Sequence, residues 1–287
     1  MAVIFRRMVV VGVGLIGGSL ALDARRKGLV KEIIGFGRGQ RNLKLAQRRR
    51  IIDRYVTKAT DIPKDTDLLM MAAPVQTTVS LTKAFLPALS PGCVISDVGS
   101  VKGELVRQME SLLPSNIPFV PAHPVAGGEQ WGAGAAKADL FVHHRCILTP
   151  TKRTDTAALK KVARLWRNVG AKVELMDPDT HDRVLGVISH LPHVLVYALV
   201  NALARTRVRG VDLKPYCAGG FKDFTRIASS RPELWRDICL MNRHALGQSL
   251  EDYISNLEQL KRWIENGKGT FLEREFARAN KVRARIV

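Results

Sequence analysis

Three polar side chains and a proline interrupt an otherwise apolar segment of the chain. Residues 187–200 read VISHLPHVLVYALV, a run that contains Ser189, His190, Pro192 and His193. His193 follows the serine by four residues and the other histidine by three, so all three can lie on one helix face. The proline has no N–H for the carbonyl four residues earlier and should bend the helix. This face can position a polar substrate; two satisfied core histidines beside a kink are the ordinary alternative.

The residues predict no metal site. The spacing of His190 and His193 would allow both to bind one metal ion, but no nearby acidic residue has the sequence spacing that would place it on the same helix face as a further ligand. The cysteines are far apart and show no CxxC spacing, which argues against a disulfide framework or a zinc site and fits a reducing compartment. The four cysteines are Cys93, Cys146, Cys217 and Cys239.

A glycine-rich stretch near the N-terminus has the pattern that binds dinucleotides. GVGLIGGS contains GxGxxG, follows an apolar β-rich run and opens a helical one. In that context the first glycine permits a tight turn, the second lets the backbone approach a pyrophosphate, and the third lets helix and strand pack closely. A glycine turn without a ligand is the alternative. The cofactor contacts expected from this loop are Gly12, Gly14, Leu15, Ile16 and Gly17.

The next strand lacks the acid that usually binds the adenosine ribose of NAD. About 20 residues after the glycine loop, GFGRGQR has Gly37 at that position, followed by Arg38 and, nearby, Arg41. A carboxylate would repel a ribose 2′-phosphate, whereas an arginine can bind it. The sequence therefore favours NADP over NAD as the cofactor, with an exposed arginine loop that touches no ribose as the alternative.

Polar residues cluster where later strands end. The stretches AAPV, DVGSVKG and AHPVAGGE contribute Pro74 beside the cofactor, and Asp97, Ser100, Lys102, His123 and Glu129 as candidates for chemistry. Ligands of doubly wound sheets bind at the carboxyl ends of the strands, so these residues are expected to face one cleft. A histidine at such an end can act as a base or be merely structural.

The predicted secondary structure changes near residue 176, from strands that alternate with helices to helices alone. Strands alternate with helices before it, as expected for a parallel sheet. The expected fold is α/β: an N-terminal Rossmann-type, doubly wound, mostly parallel sheet over 1–176, then an all-helical domain for substrate binding and dimerisation over 177–287. The expected strands lie near residues 8–14, 31–37, 66–74, 92–100, 117–124, 145–150 and 171–176.

Two long helices are expected in the second domain. One covers about residues 179–206. The other starts near Pro232 and keeps its apolar spacing to Ile264, an amphipathic helix of about 30 residues that exceeds the usual globular range. Such a helix suits packing against a second copy of the chain, which predicts a homodimer. Packing along its own domain is the alternative.

Composition bounds the partners and the compartment. The net charge of +19 is spread along the chain, with only short clusters such as residues 48–50. This favours a positive field that attracts small polyanionic substrates over nucleic-acid binding. Arginines split the first apolar run, so no signal peptide is expected. No uncharged apolar stretch is expected to reach the about 20 residues of a membrane span, so we expect a cytoplasmic protein without membrane partners.

Several motifs together resemble one enzyme family. GVGLIGGSLA, SDVGSVKG, HPVAGGE, THDRVLGVISHLPH and GGFKDFTRIASSRPELWRDI resemble, in order and spacing, the prephenate/arogenate dehydrogenases of tyrosine biosynthesis. The resemblance implies oxidation of a cyclohexadienyl 4-hydroxyl by NAD(P)+ with loss of the ring carboxylate as CO2. The product is 4-hydroxyphenylpyruvate from prephenate or tyrosine from arogenate.

The resemblance also assigns roles to residues. It implies that His123 is the neutral base that takes the hydroxyl proton, and that Ser100 orients that base or the hydroxyl. The guanidinium of Arg226, in DFTRIA, is expected to bind the ring carboxylate, with a surface ion pair as the alternative. His193 would bind the substrate side-chain carboxylate or keto group, and His190 would line the site.

The remaining residues of the motifs bear on specificity. Glu129 is expected in the substrate site by the same resemblance. Gly128 and Trp131 stand where relatives often have small hydroxylated residues, which bears on the substrate side chain. The sequence carries no regulatory ACT-type or chorismate mutase segment, so any inhibition by tyrosine is expected to be competitive. His143 and His144 are expected in a loop or at an edge.

Two other classes of protein remain open from the sequence. One is another dehydrogenase with a Rossmann and a helical domain, of the β-hydroxyacid or pyrroline-carboxylate reductase type, which needs no decarboxylation. The other is a basic nucleotide-sensing or nucleic-acid-binding protein that uses the glycine loop as a sensor, whose binding to DNA would weaken steeply with salt.

Overall fold

The core of the molecule is a parallel sheet built from the first part of the chain. The computed structural model describes residues 2–128 and 130–286. Six strands are ordered β3-β2-β1-β4-β5-β6, and every neighbouring pair is parallel. These strands are β1 (Phe5–Val11), β2 (Val30–Phe36), β3 (Arg54–Val56), β4 (Leu68–Met71), β5 (Val94–Asp97) and β6 (Phe119–Val120).

Both faces of this sheet are buried, which explains why its strands read as continuous apolar runs. Along β1, Met8 and Val10 pack into one apolar cluster, while Val9 and Val11 pack into another on the opposite face. Parallel sheets need crossover helices, and helices on both faces bury most of the strand side chains; the exposed ones, such as Arg6 and Lys31, lie near the starts of their strands. The helices of this part are α1 (Leu15–Arg26), α2 (Gln40–Arg48), α3 (Val75–Phe85), α4 (Gly103–Leu112) and α5 (Thr156–Asn168).

The strand expected over residues 117–124 is wrong as a single strand. Proline at position 121 has no N–H for the ladder, and the chain leaves the large sheet at this residue. The next residues form β7 (Ala122–Pro124), which pairs antiparallel with β8 (Arg145–Leu148). Strand β8 in turn pairs parallel with β9 (Lys172–Leu175). The second, three-stranded sheet therefore carries position 123.

The rest of the described chain is helical. The helix expected over residues 179–206 is three segments, because a π-helical turn, Gly186–His190, separates its two α-helical parts. The helix expected from Pro232 breaks at Asn242, whose side chain bonds to other elements. The helices are α6 (Pro178–Leu185), α7 (Leu191–Arg205), α8 (Gly219–Thr225), α9 (Pro232–Met241), α10 (Arg243–Glu265) and α11 (Gly269–Arg283).

One expectation about apolar stretches needs correction. The helical run Pro178–Arg205 spans 28 residues, and its most apolar 18-residue window has a mean hydropathy of 1.6; by length and composition alone the run is long and apolar enough to cross a membrane. Only 28% of its most apolar window is buried within the chain. His190 and His193, in the apolar part of this run, are uncharged when neutral, so they do not interrupt it as Lys or Arg would. The expected class of fold, a mostly parallel α/β domain followed by helices, is confirmed.

Candidate active site

The glycine loop forms a cradle at the start of α1. Gly12 has a φ of +99°, and a Cβ there would lie 2.5 Å from the carbonyl oxygen of Ala72, so only glycine fits this turn. A Cβ on Gly17 would lie 2.5 Å from the Gly12 oxygen, which is the close helix–strand packing expected from the motif. A Cβ on Gly14 would meet nothing within 4 Å. The second glycine therefore faces open space, as a backbone that approaches a pyrophosphate requires.

Other residues expected to contact the cofactor surround this loop. Leu15 and Ile16 form the partly exposed first turn of α1, and no side chain caps this end of the helix. Pro74 is exposed at the N-terminus of α3, after β4. Gly37 and Arg38 follow β2, and Arg38 is exposed. The loop and the helix N-terminus thus fit a dinucleotide phosphate by shape and by dipole.

Asp97 organises the residues that follow β5. One oxygen of its carboxylate accepts a 2.8 Å hydrogen bond from the N–H of Gly99, next to Ser100. The other oxygen accepts from the N–H of Ala122, at 3.1 Å, at the start of β7. The fully buried ammonium of Lys102 pairs with the same carboxylate. One buried ion pair therefore fixes both the loop with Ser100 and the strand with position 123.

His123 is held by a second histidine from the helical part of the chain. It lies within β7 and is buried, and its Nδ1 lies 2.8 Å from Nε2 of His181. His181 belongs to α6, which Asp177 caps by accepting from the N–H groups of Asp179 and Thr180 at 3.0 Å each. The Nδ1 of His181 lies 2.8 Å from Oδ1 of Asp182.

Asp182 also caps another helix. Its Oδ1 accepts from the N–H of Lys102 and its Oδ2 from the N–H of Gly103, both at 2.8 Å, at the first turn of α4. Negative charge at a helix N-terminus is stabilised by the N–H groups and the dipole. Glycine at position 103 leaves room for these carboxylates, because a Cβ there would lie 3.1 Å from an oxygen of Asp182 and 2.7 Å from an oxygen of Asp179.

These hydrogen bonds decide where the protons of the two histidines lie. A carboxylate only accepts, so the Nδ1 of His181 donates to Asp182, and its Nε2 is the acceptor when the ring is neutral. His123 must then donate from Nδ1 to His181. The remaining nitrogen of His123, Nε2, therefore carries a lone pair and can take a proton from a substrate. The geometry selects the tautomer that a general base needs.

The surroundings keep this base uncharged. Burial lowers the pKa of His123 well below its ordinary value, and the positive charges of His181, Lys102 and His190 lower it further. Burial also lowers the pKa of His181, which the hydrogen bond to Asp182 only partly offsets. The relay is therefore neutral at neutral pH, apart from the capping carboxylate.

The π-helical turn presents the other two histidines. Its widened backbone fits Pro192, which cannot continue the ordinary ladder of hydrogen bonds. Nδ1 of His193 lies 2.9 Å from the carbonyl oxygen of Ser189, so this nitrogen donates and Nε2 is free to accept when the ring is neutral. The ring stacks on Trp235 with centroids 3.4 Å apart. Burial lowers the pKa of His193.

The remaining expected residues have different surroundings. Arg226 begins a short turn, Arg226–Ser229, that packs against α7, and its side chain is exposed. Ser100 is half-buried in the loop before α4. Glu129 lies outside the described residues. His143 and His144 are exposed in the loop before β8.

The sequence motifs assigned no role to three residues that shape the site. His181 and Asp182 stand in THDRV, a motif that the sequence comparison used only as a family marker. The signal that could have found them is the cap sequence Asp-Pro-Asp-Thr ahead of an adjacent His–Asp pair at a domain junction. Trp235, in the motif PELWRDI, was likewise given no role beside His193.

The fold and the site define a nicotinamide-dependent dehydrogenase, because a dinucleotide cradle and an uncharged histidine base are the two parts that hydride removal from an alcohol needs. Two family descriptions match the chain. The nucleotide-binding domain of prephenate dehydrogenase matches residues 20–175. The dimerization domain of prephenate dehydrogenase matches residues 177–278. The chain belongs to the prephenate dehydrogenase family, which confirms the class of enzyme, of reaction and of pathway expected from the sequence motifs.

Individual relatives are similar over almost the whole chain. A cyclohexadienyl dehydrogenase of Zymomonas mobilis is 33% identical over 98% of this chain and 96% of its own length. The structure of a prephenate dehydrogenase of Aquifex aeolicus in complex with hydroxyphenyl propionate and NAD+ has a TM-score of 0.94 and 38% identity, and covers 98% of both chains. An arogenate dehydrogenase of Synechocystis has a TM-score of 0.84 and 31% identity, over 98% of this chain and 100% of the other.

The relay predicts a specific effect for Asp182→Asn. The amide cannot accept from both N–H groups of α4, so we expect a loss of stability of about 1–3 kcal/mol. An NH2 group facing His181 would also reverse both tautomers and leave a proton on Nε2 of His123. We expect kcat to fall by about 10²-fold or more, measured by steady-state turnover, with thermal unfolding measured in parallel.

Asp179→Asn is the matched control for this prediction. Asp179 lies on the same helix, but its side chain is 64% exposed and pairs with Arg107 at the surface. Such a pair contributes little to stability, so this variant should keep wild-type turnover and unfolding. An asparagine whose oxygen takes the place of Oδ1 would still accept from His181, so Asp182→Leu, which offers no acceptor, is measured as well. An Asp182→Leu enzyme that loses stability but keeps its kcat would show that the carboxylate only caps α4.

Proposed function

We propose that this enzyme oxidises prephenate, arogenate or both, with release of the ring carboxylate as CO2 and transfer of a hydride to NAD(P)+. The observation that carries the proposal is the tautomer of His123, whose unprotonated Nε2 is fixed by His181 and Asp182. An alcohol oxidation needs that lone pair, and the family supplies the cyclohexadienyl alcohol as the substrate class.

The protein's part in the chemistry centres on one proton. His123 takes the proton of the ring hydroxyl as the hydride leaves the same carbon, which turns that carbon into a carbonyl. A bound nicotinamide supplies the acceptor for the hydride. The bond to the ring carboxylate then breaks, CO2 leaves, and its electron pair makes the ring aromatic. The carbonyl oxygen becomes phenolic by taking back the proton from His123.

The other residues bind and orient the substrate. We assign the ring carboxylate to Arg226, because a guanidinium binds a carboxylate in a planar, two-bond geometry. Ser100 orients the hydroxyl or the base, and Glu129 and His190 belong to the wall of the site. His193 binds the substrate side chain; since its neutral Nε2 only accepts, contact with a carboxylate or keto group requires a protonated ring, whereas an ammonium group suits the neutral one.

A spectrophotometric assay tests the proposal. Prephenate and arogenate are each offered with NAD+ and with NADP+, and the absorbance of the reduced nicotinamide is followed. We expect turnover with at least one substrate and a fall of about 10²–10⁴-fold in kcat for His123→Asn, with cofactor affinity retained. His144→Asn, in an exposed loop, is the control and should behave as wild type. Wild-type enzyme that oxidises neither compound would refute the proposal.

We infer that NADP+ is the preferred cofactor. The support is the absence of a carboxylate at Gly37 and the exposed Arg38 beside it, followed by the basic side chains of Arg41, Lys44 and Arg48 along α2. Arginine and lysine side chains at this end of β2 attract a ribose 2′-phosphate. A prephenate dehydrogenase of the family was crystallised with NAD+. The inferred preference for NADP+ therefore rests on residues of this chain and not on the family.

Arg38→Ser tests the cofactor preference. Loss of a charge-assisted hydrogen bond should lower kcat/KM for NADP+ by about tenfold or more and leave that for NAD+ nearly unchanged. Lys31→Ser, an exposed lysine at the opposite end of β2, should change neither value. A wild-type enzyme with a strong preference for NAD+ would contradict the inference.

We further infer a cytoplasmic homodimer joined through residues 177–287. The matching family description names a dimerization domain, and exposed apolar side chains follow the helices of this region. A partner subunit explains the apolar, poorly buried helix run Pro178–Arg205 better than a membrane does, because Asp182 joins α6 to the first turn of α4. The cysteines are all free, as a reducing compartment permits.

Light scattering in buffer without detergent tests the dimer. We expect twice the mass of one chain, with the activity in the soluble fraction of a cell extract. Ile254→Glu combined with Leu257→Glu should give monomers, because both side chains are about half exposed on α10, at 51% and 46%. Gln259→Glu, on the same helix, should remain dimeric. A wild-type chain that runs as a monomer, or that needs detergent, would overturn the inference.

A further inference from the structure

Asn42 joins the glycine loop to the chain segment that follows β7. It lies in the first turn of α2, and its Nδ2 group donates to the backbone carbonyl of Val13 at 2.9 Å. Its Oδ1 accepts from the backbone N–H of Ala133 at 2.7 Å. Val13 stands between the first two glycines of the loop, and Ala133 lies nine residues beyond the end of β7. One side chain therefore holds two segments that are far apart in the sequence.

The orientation of the Asn42 amide is fixed by these two partners. A backbone carbonyl only accepts and a backbone N–H only donates, so the amide nitrogen must face Val13 and the amide oxygen must face Ala133. The flipped amide would lose both hydrogen bonds. Gly132, with a φ of +79°, lets the oxygen come this close, since a Cβ there would lie only 3.1 Å from it.

The Val13–Gly14 peptide is consequently held from both sides. Asn42 binds its carbonyl, and its N–H, that of Gly14, donates to the carbonyl of Gly12 at 3.0 Å. A Cβ on Gly14 would meet no described atom within 4 Å, so hydrogen bonds rather than side-chain packing define the backbone at this residue. Gly14 is also the N-cap of α1. The direction in which the chain enters the first turn of α1 therefore depends on this peptide.

The segment on the other side of Asn42 is a firm support. Arg49, two turns further along α2, donates to three backbone carbonyls within residues 133–136. The N–H of Lys137 donates to the hydroxyl of Ser19 on α1 at 3.0 Å. This support holds the Asn42 amide in one orientation, and the amide in turn holds the glycine loop.

We propose that Asn42 is a positioning residue for the dinucleotide, which keeps the Val13–Gly14 peptide in the conformation in which the glycine loop and the first turn of α1 bind the pyrophosphate. Glycines leave a loop free to adopt other conformations, and ordering such a loop at the moment of binding lowers affinity. The pyrophosphate is common to both nicotinamide cofactors. We therefore expect NAD+ and NADP+ to depend on Asn42 equally, whatever the preference between them.

Calorimetry with two cofactor fragments tests the proposal without turnover. ADP-ribose contains the pyrophosphate and adenosine does not; the affinity for adenosine is measured by its competition with ADP-ribose. Asn42→Leu removes both hydrogen bonds at nearly the same side-chain volume. We expect the affinity for ADP-ribose to fall by about five- to tenfold, as for the loss of one hydrogen bond, and that for adenosine to stay as in the wild type.

Two further variants make this test specific. Asn42→Ala removes the same hydrogen bonds with the residue most favourable in a helix, and it decides the question if the leucine variant fails to fold. Gln47→Leu is the matched control, because this amide lies on the same helix and donates to the carbonyl of Asp53 at 2.9 Å, away from the glycine loop. The control should bind ADP-ribose as the wild type does. A folded Asn42 variant with wild-type affinity for ADP-ribose, or with an equal loss for adenosine, overturns the proposal.

Steady-state kinetics give an independent readout. In the Asn42 variants, KM should rise by the same factor for NAD+ and for NADP+ while kcat changes little, whereas Arg38→Ser is expected to affect NADP+ alone. A rise in KM for NADP+ alone would mean that Asn42 serves the ribose 2′-phosphate, and would overturn the proposal.

Failure of this inference and failure of the proposed function give different results. The inference requires only that the chain binds a nicotinamide dinucleotide, as its family does. Wild-type enzyme that oxidises prephenate, together with an Asn42→Leu variant that binds ADP-ribose normally, refutes the role of Asn42 alone. Loss of ADP-ribose affinity in that variant, together with a wild-type enzyme that oxidises neither prephenate nor arogenate, refutes the proposed reaction alone.

Discussion

The site depends on one carboxylate, that of Asp182. It accepts three hydrogen bonds, two from the backbone at the first turn of α4 and one from His181. The backbone bonds attach the helical region to the sheet, and the histidine bond fixes a proton position in His123. A carboxylate does both because it accepts from several donors and never donates. Attachment of the two regions and activation of the base therefore cannot be separated without changing this side chain.

Neutral histidines dominate the centre of a strongly cationic chain. The chain has a net charge of +19, while burial lowers the pKa of all four histidines of the candidate site, the base included, so these rings are neutral. A neutral ring has one donor and one acceptor nitrogen, so its neighbours decide which nitrogen carries the proton. Asp182 makes this choice for His181 and so for His123, and Asn242 makes it for His190. The exposed charges act at longer range and can attract an anionic substrate.

The sequence predicts the glycine loop and most strands of the large sheet, because both follow from local patterns; it misses the short edge strand β3 and the separation of β7, β8 and β9 into a second sheet. An apolar strand, three glycines at fixed spacing and an amphipathic helix are readable within about 20 residues. The relay was not predicted, because His123 and His181 are 58 positions apart and meet only when β7 joins the second sheet. The break at Asn242 was missed for a similar reason, since its cause is two side-chain contacts with α6 and the π-helical turn.

The polar residues in the apolar run 187–200 follow from the same geometry. Pro192 and the π-helical turn widen the helix, and a widened helix can present neighbouring side chains that a regular one would turn away from each other. His190 can then reach Asn242 inside the protein while His193 stacks on Trp235. A continuous leucine-rich helix would pack more tightly, but it would offer no directed hydrogen-bonding groups. The segment departs from regular helix geometry, and this departure places the neutral rings of His190 and His193. Backbone irregularities of this kind are expected at functional sites rather than in a core that only packs.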